Sequence, residues 1–376
     1  MNKDSDIIQQ TVRDLFFELT RLSCRTEPGK LSRIPSAAEW TKLQKEAFRQ
    51  ALAGVIFAVI EHLPEEQRPP RKQLLQWFVA KERIVAANRL LNVRAVELSD
   101  YFRNKGFRSL LLKGQGIAAL YPDPLLRQSG DIDVWLEGSR QEILSHVRQY
   151  FPDEKVVYHN VDFPLFKDVA VEVHFTPSWM NYYGAQRRLQ KYFADEAENQ
   201  FKHRIPLFDG IGEVAAPTLS FNRIYLLLHI YRHLFGEGIG LRQVQDYYFV
   251  LRQGMNDAER QETMRMLRTL HADRFARSLM YVLKVVFGLP DDNLLCEPDE
   301  QGGRFLLSEI MQAGNFGHYD DRIKRRKNSS ALYRFTGSLQ RNARFLRYYP
   351  FEVLSIPFFK IWHFTWRHLH GYIYEA

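Results

Sequence analysis

Cysteine is nearly absent: the 376 residues include only two, Cys24 and Cys296. Two thiols cannot build a disulfide framework or a four-thiolate zinc site, so a reducing compartment, the cytoplasm, is expected. No run of about 18 or more apolar residues is free of charge, which predicts no membrane-spanning helix. The opening MNKDSDIIQQTVRDLFF has no unbroken apolar stretch and predicts no signal peptide. Internal repeats and low-complexity tracts are missing too. Charged residues make up 26%, an ordinary globular share that excludes disorder as a general description. Net charge is missing from most of the chain. The total is +8, but residues 321–376 hold eleven Lys and Arg against three Asp and Glu, leaving 1–320 formally neutral. Bulk charge therefore does not indicate a uniform nucleic-acid-binding surface.

Apolar residues are plentiful at 45%, with 14% aromatic, enough for a large core, and the length suggests two or three domains. Residues 1–105 carry helical periodicity. Ser36 is placed to cap one long helix or two, prolines 64, 69 and 70 make a break, and Gly106 closes a helix that begins near Lys72. The pattern then changes. FRSLLLKG predicts a buried strand and GIAALY a brief helix stopped by Pro122. DIDVWLE predicts a strand with one apolar face, and Ser139 with Glu142 a capping box. KVVYHN, DFPLFK and VAVEVHF predict three more strands. After Pro217 the periodicity is helical again, with Asn256 to Phe287 as continuous helix and 288–330 rich in loops. Two short helices broken at Pro350 and Pro357 finish the chain. The expected units are a helical region at 1–105, an α/β domain at 106–216, a helical domain at 217–320 closing a cleft, and a basic, aromatic tail at 321–376.

The chemistry is concentrated in LLLKGQGIAALYPDPLLRQSGDIDVWLE, residues 110–137. A strand ends at Gly114-Gln115-Gly116 where a helix begins, and backbone amides at such a turn suit phosphate. Asp131 and Asp133 fall on one strand face, because side chains i and i+2 point the same way. Two adjacent carboxylates repel, and a divalent cation with a taste for hard oxygen, Mg2+, relieves that. Glu172, on a later strand, would be a third acid, and His174 shares its face.

These residues resemble the nucleotidyltransferase superfamily related to DNA polymerase β and kanamycin nucleotidyltransferase. They are most similar to a bacterial branch of uncharacterised nucleotidyltransferases. The likeness rests on Leu111 to Gly114, Tyr121-Pro122, Arg127, Asp131-Ile132-Asp133 and Glu172-Val173-His174. It continues through His229-x-x-x-His233, Gly240-Leu241-Arg242 and Asp246, and spans about 80–250. The fold class it implies is α+β, a small mixed-sheet nucleotidyltransferase domain flanked by N- and C-terminal helical regions. The activity implied is metal-dependent transfer of a nucleoside monophosphate from an NTP to a hydroxyl, releasing pyrophosphate. Asp131, Asp133 and Glu172 would hold two Mg2+ ions. Gly114, Gln115 and Gly116 would cradle phosphates, and Lys113, Arg127 and Arg242 would neutralise them. His174, His229 and His233 would stand behind or line the cleft. Gln115 replaces the usual serine of the turn and is long enough to crowd the phosphates, and the loop YPDPLLRQSG is longer than usual.

Other readings of these features stay open. His229 and His233 could serve helix packing, and Arg242 with Asp246 could form an i,i+4 ion pair. The acceptor could be a small molecule, a sugar, a protein or an RNA end. A non-catalytic nucleotide- or partner-binding protein on the same fold is the alternative to an enzyme. The tail could dock its aromatics on the protein itself, or meet a membrane surface or polyanion.

Overall fold

The computed structural model describes residues 3–320, 322 and 331–372. Most of the basic run 322–327 lies outside the described residues. The N-terminal third folds as α1 (Lys3–Leu22), α2 (Ala37–Arg49), α3 (Ala53–His62) and α4 (Arg71–Asn104). Ser36 starts α2 with a reciprocal capping box, its Oγ accepting from the Glu39 amide and its own amide donating to Glu39 Oε2 at 2.8 Å. Ala51 takes φ +55 between α2 and α3, so the apolar run from Ala37 is two helices. Gly106 ends the α4 region at φ +84, a conformation that favours glycine.

The middle of the chain carries β1 (Ser109–Leu111), α5 (Gln115–Ala118), β2 (Ile132–Leu136), α6 (Arg140–Tyr150), β3 (Asn160–Asp162), β4 (Val171–His174), α7 (Tyr183–Lys202) and a hairpin of β5 (Arg204–Pro206) and β6 (Glu213–Ala215). Four strands form one sheet in the order β1-β2-β4-β3. β2 and β4 are parallel and the outer pairs antiparallel, so the sheet is mixed and the class is α+β. The register sets Asp133 opposite Glu172. The three strands expected over 155–175 are not all there. Only Asn160 of KVVYHN and Asp162 of DFPLFK join β3, although Val156 makes an isolated bridge to Val161. The ladder stops at Pro164, which has no amide to donate.

The rest of the described chain is helical: α8 (Leu219–Gly236), α9 (Leu241–Arg252), α10 (Asp257–Thr269), α11 (Asp273–Val282), α12 (Glu300–Ala313), α13 (Ala331–Ala343) and α14 (Pro350–Leu369). Three expectations change here. His271, at φ +57, splits the helix expected from Asn256 to Phe287, and α11 runs on into a π turn over Leu283–Phe287. The stretch expected to be loops contains α12. Pro357 lies inside α14 without ending it, because buried Val353 and Ile356 pin the helix on the flank of the lost hydrogen bond. Among the described residues no helix is long and apolar enough to cross a membrane.

Two apolar clusters fill the interior. Leu91, Ala95, Leu98 and Phe102 of α4 pack with Ile132, Val134, Val171 and Val173 on one sheet face. The other cluster joins α1–α3 to α8–α12. Trp135, on the second sheet face, belongs to that cluster and meets Phe201 of α7 with ring centroids 4.8 Å apart. β2 is therefore buried on both faces, unlike the one-sided strand its alternation predicts. Asp133 shares the Trp135 face, so it points inward between sheet and helices.

Candidate active site

Asp133 is buried and both its oxygens are engaged. Lys113 Nζ is 2.8 Å from Oδ2 and His174 Nε2 is 2.9 Å from Oδ1. Topology explains both partners. Lys113 follows β1, whose pairing with β2 continues as the Leu112 amide donates to the Asp133 carbonyl at 3.0 Å. His174 lies two residues beyond Glu172 on β4, on the same face. Glu172 is half-buried, accepts from Asn160 Nδ2, and has Oε2 3.7 Å from His174 Nε2. Ligand atoms of Asp133, Glu172 and His174 all lie within 4.8 Å of one another, a spacing that fits a metal ion. Asp131 stands one step outward, exposed at the rim.

The electrostatics favour a cation at this corner. The Asp133 charge pushes the Asp131 carboxyl up. Burial alone would raise Asp133, but Lys113 and His174 hold it well below the usual carboxylate range. Burial alone would lower His174, but the Asp133 and Glu172 carboxylates outweigh it and raise it. His174 Nδ1 is buried without a hydrogen-bond partner. The Asp133 and Glu172 carboxylates with the His174 imidazole form a donor set that could hold a divalent cation.

The glycine turn is narrower than the sequence implies. Gly114, at φ +55 and ψ −117, occupies backbone space open to glycine. α5 is one turn long, so it offers local amides and little helix dipole. Gln115 does not crowd the phosphate side, because its side chain is buried and Nε2 donates to Asn88 Oδ1 at 3.2 Å. Asn88 also donates to the carbonyls of Leu125 and Arg127, both at 2.7 Å, so α4 fixes the turn and the long loop together. A Cβ on Gly116 would come within 3.2 Å of the Ala216 Cβ, so this glycine packs closely against the strand hairpin.

Arg127 is tied elsewhere. Its Nε and Nη2 grip Asp246 at 2.7 and 2.8 Å, Nη1 donates to Ser129, and Tyr121 also donates to Asp246 at 2.7 Å. The ion pair expected within α9 is thus replaced by one between α9 and the long loop. Arg127 borders the cavity with its fork already spent on a carboxylate. Arg242 is half-buried, 5.7 Å from the Phe316 ring centroid, with no carboxylate ion pair among the described residues.

His229 and His233 meet edge to face at 4.4 Å. Burial holds His229 well below its usual value and His233 at about 4. A neutral His233 donates from Nδ1 toward Glu237 at 3.3 Å and accepts at Nε2 from Arg232 Nη2 at 3.2 Å. Arg232 Nη1 reaches His159 Nε2 at 3.5 Å, and burial also holds His159 low. The sequence reading missed Asn160, His159 and Arg232. Arg232 sits between His229 and His233, but its aim into the cleft depends on how α8 is rotated, which no local pattern states.

These groups enclose a cavity of about 730 Å³, with Lys113, Gly114 and the carboxylates on the sheet side and Arg232, His233 and Arg242 on the helical side. That is the size range of a nucleotide site. Beyond geometry, no curated protein matches the sequence. An antigenic nucleotidyltransferase-like protein from Paracoccidioides brasiliensis, known as a crystal structure, is similar over 52% of this chain and 90% of its own. Its identity is 14% and its TM-score 0.30, too loose to support any statement about this chain. The model of the family described as uncharacterised nucleotidyltransferases matches residues 36–288. The match runs from the cap of α2 to the glycine closing the π turn after α11, and takes in every side chain of the carboxylate corner: this chain belongs to the uncharacterised nucleotidyltransferase family.

Proposed function

We propose that the protein moves a nucleoside monophosphate from an NTP to a hydroxyl acceptor, with the carboxylate corner as its reaction centre. The observation that carries this reading is the parallel register that sets Asp133 opposite Glu172, with Asp131 beside them at the cavity rim. The acceptor oxygen attacks the α-phosphorus, the bond to the bridging oxygen breaks, and pyrophosphate leaves. Asp131, Asp133 and Glu172 would hold Mg2+, which supplies Lewis acidity to the phosphoryl oxygens when bound. Glu172, the half-exposed acid, accepts the proton of the attacking hydroxyl. Lys113 turns from Asp133 to the phosphates, beside the Gly114 amide, and Arg242 meets them from the helical side.

Calorimetric titration of the four NTPs with Mg2+ tests this, on the wild type and on the Asp131→Asn/Asp133→Asn double variant. Metal-dependent binding should be confined to the wild type, with pyrophosphate release once an acceptor is found. Equal binding by both proteins would sink the carboxylate site. A second reading, nucleotide binding without turnover, is favoured by one feature: Lys113 and His174 already occupy both Asp133 oxygens. It predicts binding that needs no metal and survives the double substitution.

A further inference from the structure

The outward face of α14 is bare over most of its length: Phe351 stacks on His271 and Trp362 meets Tyr158, but Leu354, Phe358, Ile361 and Leu369 stay open to solvent. Phe351, Leu354, Phe358, Ile361, Trp362 and Leu369 are all exposed, Phe358 at 76% and Leu369 at 79%. Their spacing places them on one side of the helix, an apolar stripe interrupted only by Thr365 and without a charged residue. The opposite side is firmly seated. Val353 and Ile356 are buried, and Phe359 lies flat on Trp179 with ring centroids 4.2 Å apart and planes at 14°. Glu352 accepts from the amides of Asn181 and Tyr182 at 2.7 and 3.2 Å. The helix is thus anchored along one side, with an apolar band left on the other. Single exposed apolar side chains are ordinary, but six aligned large ones mark a docking surface.

Charge selects the occupant. The segment 321–376 that contains the stripe carries the chain's whole net charge of +8. Arg322 and Arg344 are paired with Glu309 and Asp320, yet the segment stays strongly basic. A second copy would bring the same basic segment to a symmetric contact, and the like charges would oppose it. A nucleic acid would satisfy the charge and leave most of the aliphatic and Phe stripe in water. An anionic bilayer surface satisfies both, since its phosphates draw the basic residues while the headgroup boundary takes up Phe, Leu, Ile and Trp. We propose that α14 docks this protein in the plane of an anionic lipid surface through the Phe351–Leu369 stripe. The proposal goes beyond nucleotidyl transfer and does not depend on it.

Flotation of the full chain tests it, with vesicles of phosphatidylglycerol mixed into phosphatidylcholine set against pure phosphatidylcholine. The wild type should float with the anionic vesicles and lose about tenfold or more in partitioning on neutral vesicles or in high salt. Phe358→Asp/Ile361→Asp should lose about tenfold or more on anionic vesicles. Its melting curve and NTP titration should stay as in the wild type, because both side chains lie outside the core. A blue shift of tryptophan emission on anionic vesicles, absent in Trp362→Phe, would place the stripe in the interface. Three results would overturn the proposal. One is equal flotation with both vesicle types, and another is flotation that survives the double aspartate substitution. The third is failure to float at all, whether the wild type is monomeric, forms a dimer that the same substitution dissociates, or captures a poly-U probe instead.

Discussion

Arg127 and Asp246 show what one buried ion pair does in this protein. Both are buried, and the bidentate grip, with Tyr121 on the same carboxylate, locks the long loop to α9. Asp246→Ala would leave a buried guanidinium without a counter-charge and should cost on the order of 3–5 kcal/mol, read as a lower urea midpoint. Arg127→Met/Asp246→Leu should recover much of that loss, since paired apolar replacements avoid the orphaned charge. Burial would raise Asp246, but Arg127 outweighs it and holds the carboxyl below its usual value. The pair's stability is therefore present above the ordinary carboxylate range and is lost as pH falls through the folded value. At this scale Asp131, Asp133 and Glu172 could be picked out as candidates from the sequence, whereas the meeting of Asp133 with Glu172 rests on the β2–β4 register. Arg127's partner could not be picked out, because 119 residues separate the two side chains.

Among the elements, the Gly240-Leu241-Arg242 start of α9 is a tight joint at the edge of the cavity. A Cβ on Gly240 would fall 2.8 Å from the Asn315 Cα, and Gln50 receives the Leu241 amide at 2.9 Å. Gly240→Ala should push back the 314–317 turn, shift Phe316 away from Arg242, and weaken NTP binding several-fold in the same titration. A loss of stability with unchanged nucleotide affinity would separate this joint from the nucleotide side of the cavity. Caps and breaks were legible in the sequence at Ser36, Ser139 and Gly106, where the signal is local. The strands expected in 155–167 were not, because β-rich composition cannot say which residues find a ladder partner.

For the whole molecule, the buried histidines around the cavity set the response to acid. Burial lowers His159, His229 and His233, so the unfolded chain takes up protons first as pH falls below about 6.5. The stability they contribute is complete above that value and drains away toward about 4, where His233 titrates in the folded protein. His174 and Glu352, both raised, act in the opposite sense. Burial lowers His146 and His363 as well, so the lowered imidazoles dominate between pH 7 and pH 5, where the melting temperature should fall, with a shallower fall in His233→Gln. A melting temperature that rises on acidification would contradict this balance. The apolar clusters also cross the expected boundaries: α4 supplies one wall of the sheet core, and α1–α3 share a core with α8–α12.

The sequence by itself determined the helical flanks, the turn at Gly114 and the strand that carries Asp133, because each rests on short-range periodicity or spacing. It also determined that the net charge lies in 321–376. Only the tertiary structure decided that Lys113 and His174 sit on Asp133, that Gln115 turns inward to Asn88, and that Arg127 is held by Asp246. It decided as well that α14 seats one face and leaves most of the other bare. Each of these depends on the meeting of residues far apart in the chain, and on the rotation of an element about its own axis. Packing fixes both, and local pattern does not encode them.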